Sequence, residues 1–159
     1  MPSAGPYREG DQGALAQSTA DTTGPVKMPK VPSSFVCGLL LAVVKVALRA
    51  AGLRRVVCLI RKRTLSQAKH ARAHTTEEVA EVEGVVAFAG ALFPGRALCL
   101  EQSLVLWYLL RRRGVDASFA LGVQAYPFGA HAWVEHGGRP LNDVPEHVAH
   151  FTRLPDVLG

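Results

Sequence analysis

Apolar residues in the first two thirds of the chain recur at the three- and four-residue intervals of α-helices. The first such segment covers residues 35–63, and Gly52 divides it into two predicted helices. Its apolar positions lie opposite its basic ones, and they are Leu40, Val44, Ala47, Leu48, Val56, Val57, Leu59 and Ile60. This pattern predicts a segment that packs into the core or forms a docking face for a partner.

Two further helices follow this segment. One begins near Thr75, because Thr75 and Glu78 have the spacing of a capping box, and it ends before Pro94. The next covers residues 98–113 and carries leucines on nearly all sides. A helix that is apolar all round is buried, so we expect this one to be central.

After Gly114 the apolar residues alternate with a period of two, as in strands. Residues 118–123, 130–135 and 139–143 each predict a strand, and Gly137 and Gly138 predict a turn between the last two. Helices followed by antiparallel strands indicate an α+β fold.

The turn permits two registers for the hairpin. A loop of two glycines sends Asp143 to the face opposite His131, whereas a three-residue loop beginning at position 136 sets the two side by side. The longer loop also pairs Glu135 with Arg139 and brings two apolar residues together. The sequence therefore favours the three-residue loop.

Composition indicates one globular domain preceded by a tail. The chain has 159 residues, 48% hydrophobic content and a formal net charge of +5. Residues 1–33 contain few large apolar side chains, and this composition predicts a disordered tail. We assign residues 34–95 to a helical part with a candidate docking face, and residues 96–159 to a catalytic core.

The basic residues limit the kinds of partner that the protein can bind, and the cysteines limit the cellular compartment in which it works. Basic clusters attract acidic peptides or membrane surfaces, but no aromatic residues alternate with them as nucleic-acid binding requires, so we expect no nucleic-acid partner. Three cysteines suit a reducing cytosol. Lys45 and Arg49 interrupt the long apolar run, so we expect a cytoplasmic protein for which peripheral membrane contact stays open.

Three residues carry candidate chemistry. Cys99 opens the central helix, and His131 and Asp143 lie on the predicted hairpin. A helix N-terminus and a neighbouring imidazolium favour the thiolate, and a carboxylate orients the imidazole. Taken singly, each residue also fits a structural role, as a small core thiol, a structural histidine or a turn aspartate.

Other candidates have simpler explanations. We expect Trp133 to pack in the core. Its predicted face of the strand also lies along the site, so it is a candidate substrate-binding residue. His147 and His150 have a spacing that suits a metal, but no further ligand is evident, so we expect neither metal nor cofactor. Three further histidines have no expected partner, and we assign them to the surface: His70, His74 and His136.

Several short motifs resemble the B2 proteins of lasso peptide biosynthesis, which are leader peptidases of the transglutaminase-like superfamily. The similarity covers about residues 96–145, and its motifs are Cys99-Leu100-Glu101-Gln102-Ser103-Leu104, Leu121-Gly122-Val123, Ala130-His131-Ala132-Trp133-Val134-Glu135 and Leu141-Asn142-Asp143. Position 102, often basic in such proteins, is Gln102 here.

The resemblance implies a papain-like or transglutaminase-like core in which Cys99 is the nucleophile, His131 the base and acid, and Asp143 its orienter. It implies cleavage of a precursor peptide after a leader with a penultimate threonine. It also implies a separate B1 leader-recognition protein and a macrocyclase that acts on the released core peptide.

Two other functions use the same residues. An acyl or amine transferase would employ the same triad, and a catalytically silent module would only present a peptide to another enzyme. The chemistry of the product distinguishes the transferase from a peptidase. Selective reactivity of the Cys99 thiol distinguishes either enzyme from the silent peptide-binding module.

Overall fold

A computed structural model describes residues 32–68, 74–94 and 98–155. The predicted tail, residues 1–33, lies outside this part except for its last two residues. The described chain forms three long helices and then a small antiparallel sheet, which confirms the α+β prediction. The helices are α1 (Ser34–Ala68), α2 (Thr76–Leu92), α3 (Cys99–Arg112) and the short α4 (Pro145–Val148). The strands are β1 (Ala117–Gln124), β2 (Gly129–His136), β3 (Arg139–Pro140) and β4 (Thr152–Arg153), in the sheet order β3-β2-β1-β4.

Helix α1 is two helical stretches that meet at Gly52. The backbone there has φ 77° and ψ 163°, which is not helical and which a residue with a Cβ rarely adopts. The predicted division at Gly52 is confirmed, although the second stretch extends to Ala68, beyond the expected end at residue 63. By length and composition, Ser34–Gln67 is long and apolar enough to cross a membrane. One of its faces, however, packs against α2 and α3.

Helix α2 begins with the predicted capping box. The Thr75 hydroxyl accepts a hydrogen bond from the Glu78 amide at 3.2 Å, and the Glu78 carboxylate accepts one from the Thr75 amide at 3.1 Å. These bonds satisfy two donors that a helix start leaves free.

Helix α3 is the central element of the fold. It packs against α1, α2, β1 and β2. Its buried apolar residues join those of the other elements in one core, and they include Leu104, Val105, Leu106, Trp107, Leu109 and Leu110. The division of the chain at residue 95 stays a prediction, since both parts contribute to this core.

The hairpin of β2 and β3 corrects the predicted register. Glu135 pairs with Pro140 and His136 with Arg139, so the loop consists of Gly137 and Gly138 alone. Both glycines have positive φ, 56° and 76°, as the mirror-image turns of two-residue hairpins require. The expected three-residue loop was wrong.

The chain after β3 also departs from the prediction. β3 ends at Pro140 instead of continuing to residue 143. Helix α4 and β4, which have no clear periodicity in the sequence, then return the chain to the far edge of the sheet, where Arg153 pairs with Gly122 and Thr152 with Val123.

Candidate active site

The two faces of the sheet have different neighbours. Val134 on β2 and Phe119 on β1 pair across one face and contact the helical core. His131 and Trp133 alternate with these core-facing positions, so they lie on the other face. Gly122 is the cross-strand partner of His131.

Asn142 fixes the path of the chain after β3. Its Oδ1 atom accepts a hydrogen bond from the Val134 amide at 2.9 Å, a position that a continuing strand would otherwise fill. Its Nδ2 atom donates to the Ser103 hydroxyl at 2.9 Å, and this hydroxyl donates to the Ala132 carbonyl at 2.9 Å. Asn142 and Ser103 therefore hold the segment before Asp143 against β2 and α3.

Asp143 meets His131 as expected, but not through strand pairing. Its Oδ2 atom lies 2.5 Å from His131 Nε2 and 2.7 Å from His147 Nδ1, while Oδ1 accepts a bond from the Val144 amide at 2.7 Å. The His131 contact is close, but its direction departs from that of an aligned hydrogen bond. We therefore treat it as an ion-pair contact, and treat the bond from His147 as the aligned one.

These contacts set the charge of Asp143. Burial raises the pKa of this carboxyl group, but the hydrogen bonds and positive charge around it outweigh burial. The bond and charge of His147, the bond from the Val144 amide and the contact with His131 together lower the pKa below its ordinary value. Asp143 is therefore a carboxylate at neutral pH.

Aromatic rings enclose His131 on the same face of the sheet. Trp133 stacks on the imidazole with ring centroids 6.0 Å apart and 17° between the planes, and Phe151 lies 5.1 Å away. The Trp133 Nε1 atom donates to Glu135 at 2.8 Å. Trp133 is only 1% exposed and packs beside the imidazole, and its contact with substrate stays a prediction.

Cys99 is the first residue of α3 and is partly exposed. Two hydrogen bonds fix how α3 lies along β2. Ser103 contacts the Ala132 carbonyl, and one turn later Trp107 Nε1 donates to the Ala117 carbonyl, opposite the far end of β2, at 3.0 Å. Helix and strand therefore run in the same general direction. The first turn of α3 consequently lies at the end of β2 that carries His131.

The other two thiols lie on α1. Cys37 is fully buried, and burial raises the pKa of its thiol, with only partial compensation by the charge of Arg113. Cys58 is half-buried. Of the three cysteines, Cys99 is the one that begins the helix packed on β2.

Sequence reasoning missed the second histidine of the site. His147 was considered for a metal with His150, but it bonds to Asp143 instead. Its signal is present in the sequence, since positions 143 and 147 face each other when a helix begins at Pro145. The side chains of His131, Asp143 and His147 also bring possible metal-ligand atoms within 4.8 Å of one another.

The structure also shows the surroundings of two other histidines and of Gln102. His74 was expected at the surface, but its side chain is buried and lies 3.4 Å from Glu78. His136 contacts the Asp116 carbonyl at 2.7 Å, and His70 lies outside the described residues. The Gln102 side chain lies over Gly90 of α2, where an added Cβ would come within 2.7 Å of it.

The chain is similar to known proteins at two levels. Residues 40–156 match the family described as the Transglutaminase-like superfamily. A stretch of 47 residues, 30% of this chain, is 45% identical to the Microcin J25-processing protein McjB of Escherichia coli. The matched stretch spans 23% of the length of that protein. No solved structure matches the chain.

Proposed function

The chain belongs to the transglutaminase-like superfamily, and on that premise we propose that it is a cysteine peptidase of lasso peptide maturation. It removes the leader from a ribosomally made precursor peptide. One observation carries the proposal: Asp143 contacts His131 at the end of the sheet where α3 begins with Cys99. The similarity to McjB, a processing protein of microcin J25, supports the pathway.

In the proposed reaction, the Cys99 sulfur attacks the carbonyl carbon of the scissile peptide bond after His131 accepts the thiol proton. The carbon–nitrogen bond then breaks, the same proton passes to the leaving amine, and the leader remains as a thioester on Cys99. Water attacks the thioester with His131 as base. This step releases the leader carboxylate and restores the thiol.

The geometry of His131 supports these proton transfers. Asp143 contacts the Nε2 atom of the imidazole, so in the proposed reaction Nδ1 is the nitrogen that exchanges a proton with Cys99. The carboxylate also stabilises the imidazolium that forms when the thiol ionises. The stacked Trp133 ring limits rotation of the imidazole.

The start of α3 supplies groups for the developing oxyanion. The first hydrogen bond of the helix runs from the Gln102 amide to the Leu98 carbonyl at 3.2 Å. The backbone N–H groups of residues 99–101 therefore have no acceptor within the helix, and they can donate to the tetrahedral intermediate.

The proposed pathway implies partners. A separate B1 protein delivers the leader, and a macrocyclase acts on the released core peptide. We propose that the reaction takes place in the cytoplasm, where the sparse cysteines stay reduced.

Replacement of the nucleophile tests the proposal. Cys99→Ala should reduce cleavage of a precursor from the same gene cluster by roughly 1,000-fold or more, measured by mass spectrometry with the B1 protein present. Cys58→Ala, which removes a half-buried thiol from α1, is the matched control and should retain activity. Cleavage by the folded Cys99→Ala variant at the wild-type rate would refute the assignment.

The superfamily match also favours a second candidate, acyl transfer to an amine. The products distinguish the two reactions, because hydrolysis ends the leader in a free carboxylate and transfer ends it in an amide. If neither product forms and a thiol reagent labels Cys99 no faster than Cys58, the chain is a peptide-binding module instead.

A further inference from the structure

The first half of α1 exposes a row of large apolar side chains. Phe35, Leu39, Val43 and Val46 are 83%, 58%, 56% and 66% exposed. Their spacing of four, four and three residues places them on one face of the helix. We call these four residues the outer row. On the opposite face, Cys37 and Leu41 are fully buried in the core, and Leu40, Val44 and Leu48 are partly buried against it.

An outer row of this kind is unusual for a helix on a protein surface. Surface helices carry polar residues on the side that faces water. The row extends over eleven intervals between positions 35 and 46, or roughly 17 Å at 1.5 Å per residue. Continuous apolar surface on this scale marks a site of contact with another molecule or a membrane.

The charge of α1 indicates what covers the row. The helix contains no aspartate or glutamate, and its basic residues are Lys45, Arg49, Arg54, Arg55, Arg61, Lys62 and Arg63. Five of them are exposed: Arg49, Arg54, Arg55, Lys62 and Arg63. Arg49 follows Val46 by three residues and so adjoins the outer row. The basic residues continue along the second half of the helix, well beyond the row.

We propose that α1 binds the surface of an anionic membrane. The outer row enters the boundary between headgroups and acyl chains, and the exposed basic residues contact the anionic headgroups. The helix lies in the plane of the surface and does not span the bilayer, because its other face holds α2 and α3. Positive charge spread from Lys45 to Arg63, with no acidic residue among it, fits an extended anionic surface better than a compact protein partner.

This interaction is independent of the proposed peptidase activity. The outer row lies on α1, whereas the candidate catalytic residues lie on α3, β2 and the segment after β3. Membrane binding would hold the enzyme at the lipid surface while the site at the end of β2 processes its substrate.

Vesicle binding by the full chain tests the proposal. We expect the protein to sediment with vesicles of phosphatidylcholine and phosphatidylglycerol, and to remain in solution with phosphatidylcholine alone. Leu39→Gln with Val43→Gln removes apolar surface without changing charge, and should weaken binding roughly 100-fold. Arg54→Gln, Arg55→Gln, Lys62→Gln and Arg63→Gln together should weaken it on the order of 100-fold or more.

Two controls accompany these variants. Phe88→Gln replaces an exposed aromatic residue on α2, and Arg139→Gln replaces an exposed basic residue on β3. Both should bind vesicles as the wild type does. Circular dichroism shows whether each variant is folded.

Three results would overturn the proposal: no binding to anionic vesicles, equal binding to both vesicle types, or undiminished binding by the folded Leu39→Gln, Val43→Gln variant. If that variant instead abolishes self-association or binding to the B1 protein, while vesicles bind neither form, the row is a protein interface.

Discussion

Asp143 is shared by two imidazoles, and this arrangement assigns a role to His147. A carboxylate that contacts only His131 could turn toward solvent, but the bond from His147 Nδ1 and the Val144 amide hold both of its oxygen atoms. His147 is half exposed and touches His131 at a ring-centroid distance of 5.0 Å. We therefore interpret it as a positioning residue that acts through Asp143.

Replacement of His147 should lower the turnover rate and leave substrate binding nearly unchanged. We expect His147→Ala to reduce kcat on the order of tenfold with little change in KM, a smaller loss than removal of Asp143 itself would cause. His147→Asn keeps an N–H donor close to the position of Nδ1 and should restore part of the rate. His150→Ala is the neighbouring control. A change in KM alone, or no rescue by asparagine, would argue against positioning.

Asp143 should also make stability depend on pH. Because folding lowers the pKa of this carboxyl group, its stabilising contribution is complete above the ordinary aspartate pKa of about 4 and disappears as the pH falls through the lowered value. The difference in unfolding free energy between the wild type and Asp143→Asn should therefore be largest near neutral pH and shrink in acid. Urea unfolding at several pH values measures it, and a difference that grows in acid would contradict the assignment.

At the scale of elements, the sequence predicted the helices better than the hairpin. The breaks at Gly52 and Pro94 and the capping box at Thr75 depend on local chemistry, so they can be read from a few neighbouring residues. The pairing of His131 with Asp143 was predicted from a strand that would continue to residue 143. That strand ends at Pro140, and an asparagine side chain takes over its hydrogen bond to β2.

The sequence therefore predicted the correct pair of residues from an incorrect hairpin register. A side-chain substitute for a backbone hydrogen bond leaves no periodic trace in a sequence. The same holds for α4, which has four residues, and for β4, which has two. His147 reaches the site on α4, and Phe151 reaches it in the bend just before β4, so their roles required the structure.

Gly122 is the position on β1 where the aromatic enclosure of His131 is most sensitive. A Cβ there would lie 2.7 Å from the Phe151 Cβ atom and 2.8 Å from the Trp133 ring. Gly122→Ala should therefore displace both rings, lower the unfolding free energy by roughly 1–3 kcal/mol and reduce kcat.

Gly84→Ala is the matched control, because nothing lies within 4 Å of the added methyl group on α2. It should raise the unfolding free energy by about 0.5–1 kcal/mol through helix propensity. Chemical unfolding and cleavage assays on both variants compare the two glycines. Equal stability of the two variants would show that the rings tolerate a side chain at position 122.

At the scale of the whole molecule, the loop between β1 and β2 lies at the end of the sheet where His131 contacts Asp143. Gly122 and His131 are paired, and the ladder ends two pairs further on at Gln124 and Gly129. The loop beyond them presents Tyr126 and Phe128, which are 92% and 84% exposed. A peptide that approaches Cys99 therefore has two solvent-facing aromatic rings beside its path.

Exposed aromatic rings next to the proposed peptidase site would bind apolar side chains of a substrate at small entropic cost. We expect Tyr126→Ser with Phe128→Ser to raise KM for the precursor roughly tenfold and to leave kcat nearly unchanged, since neither ring touches His131 or Asp143 among the contacts of the described residues. Phe88→Ser, which removes a 56% exposed ring from α2, should leave both constants unchanged. Steady-state kinetics at saturating B1 protein separates the constants. A fall in kcat with constant KM would mean that the loop shapes the catalytic groups, and not the path of the substrate.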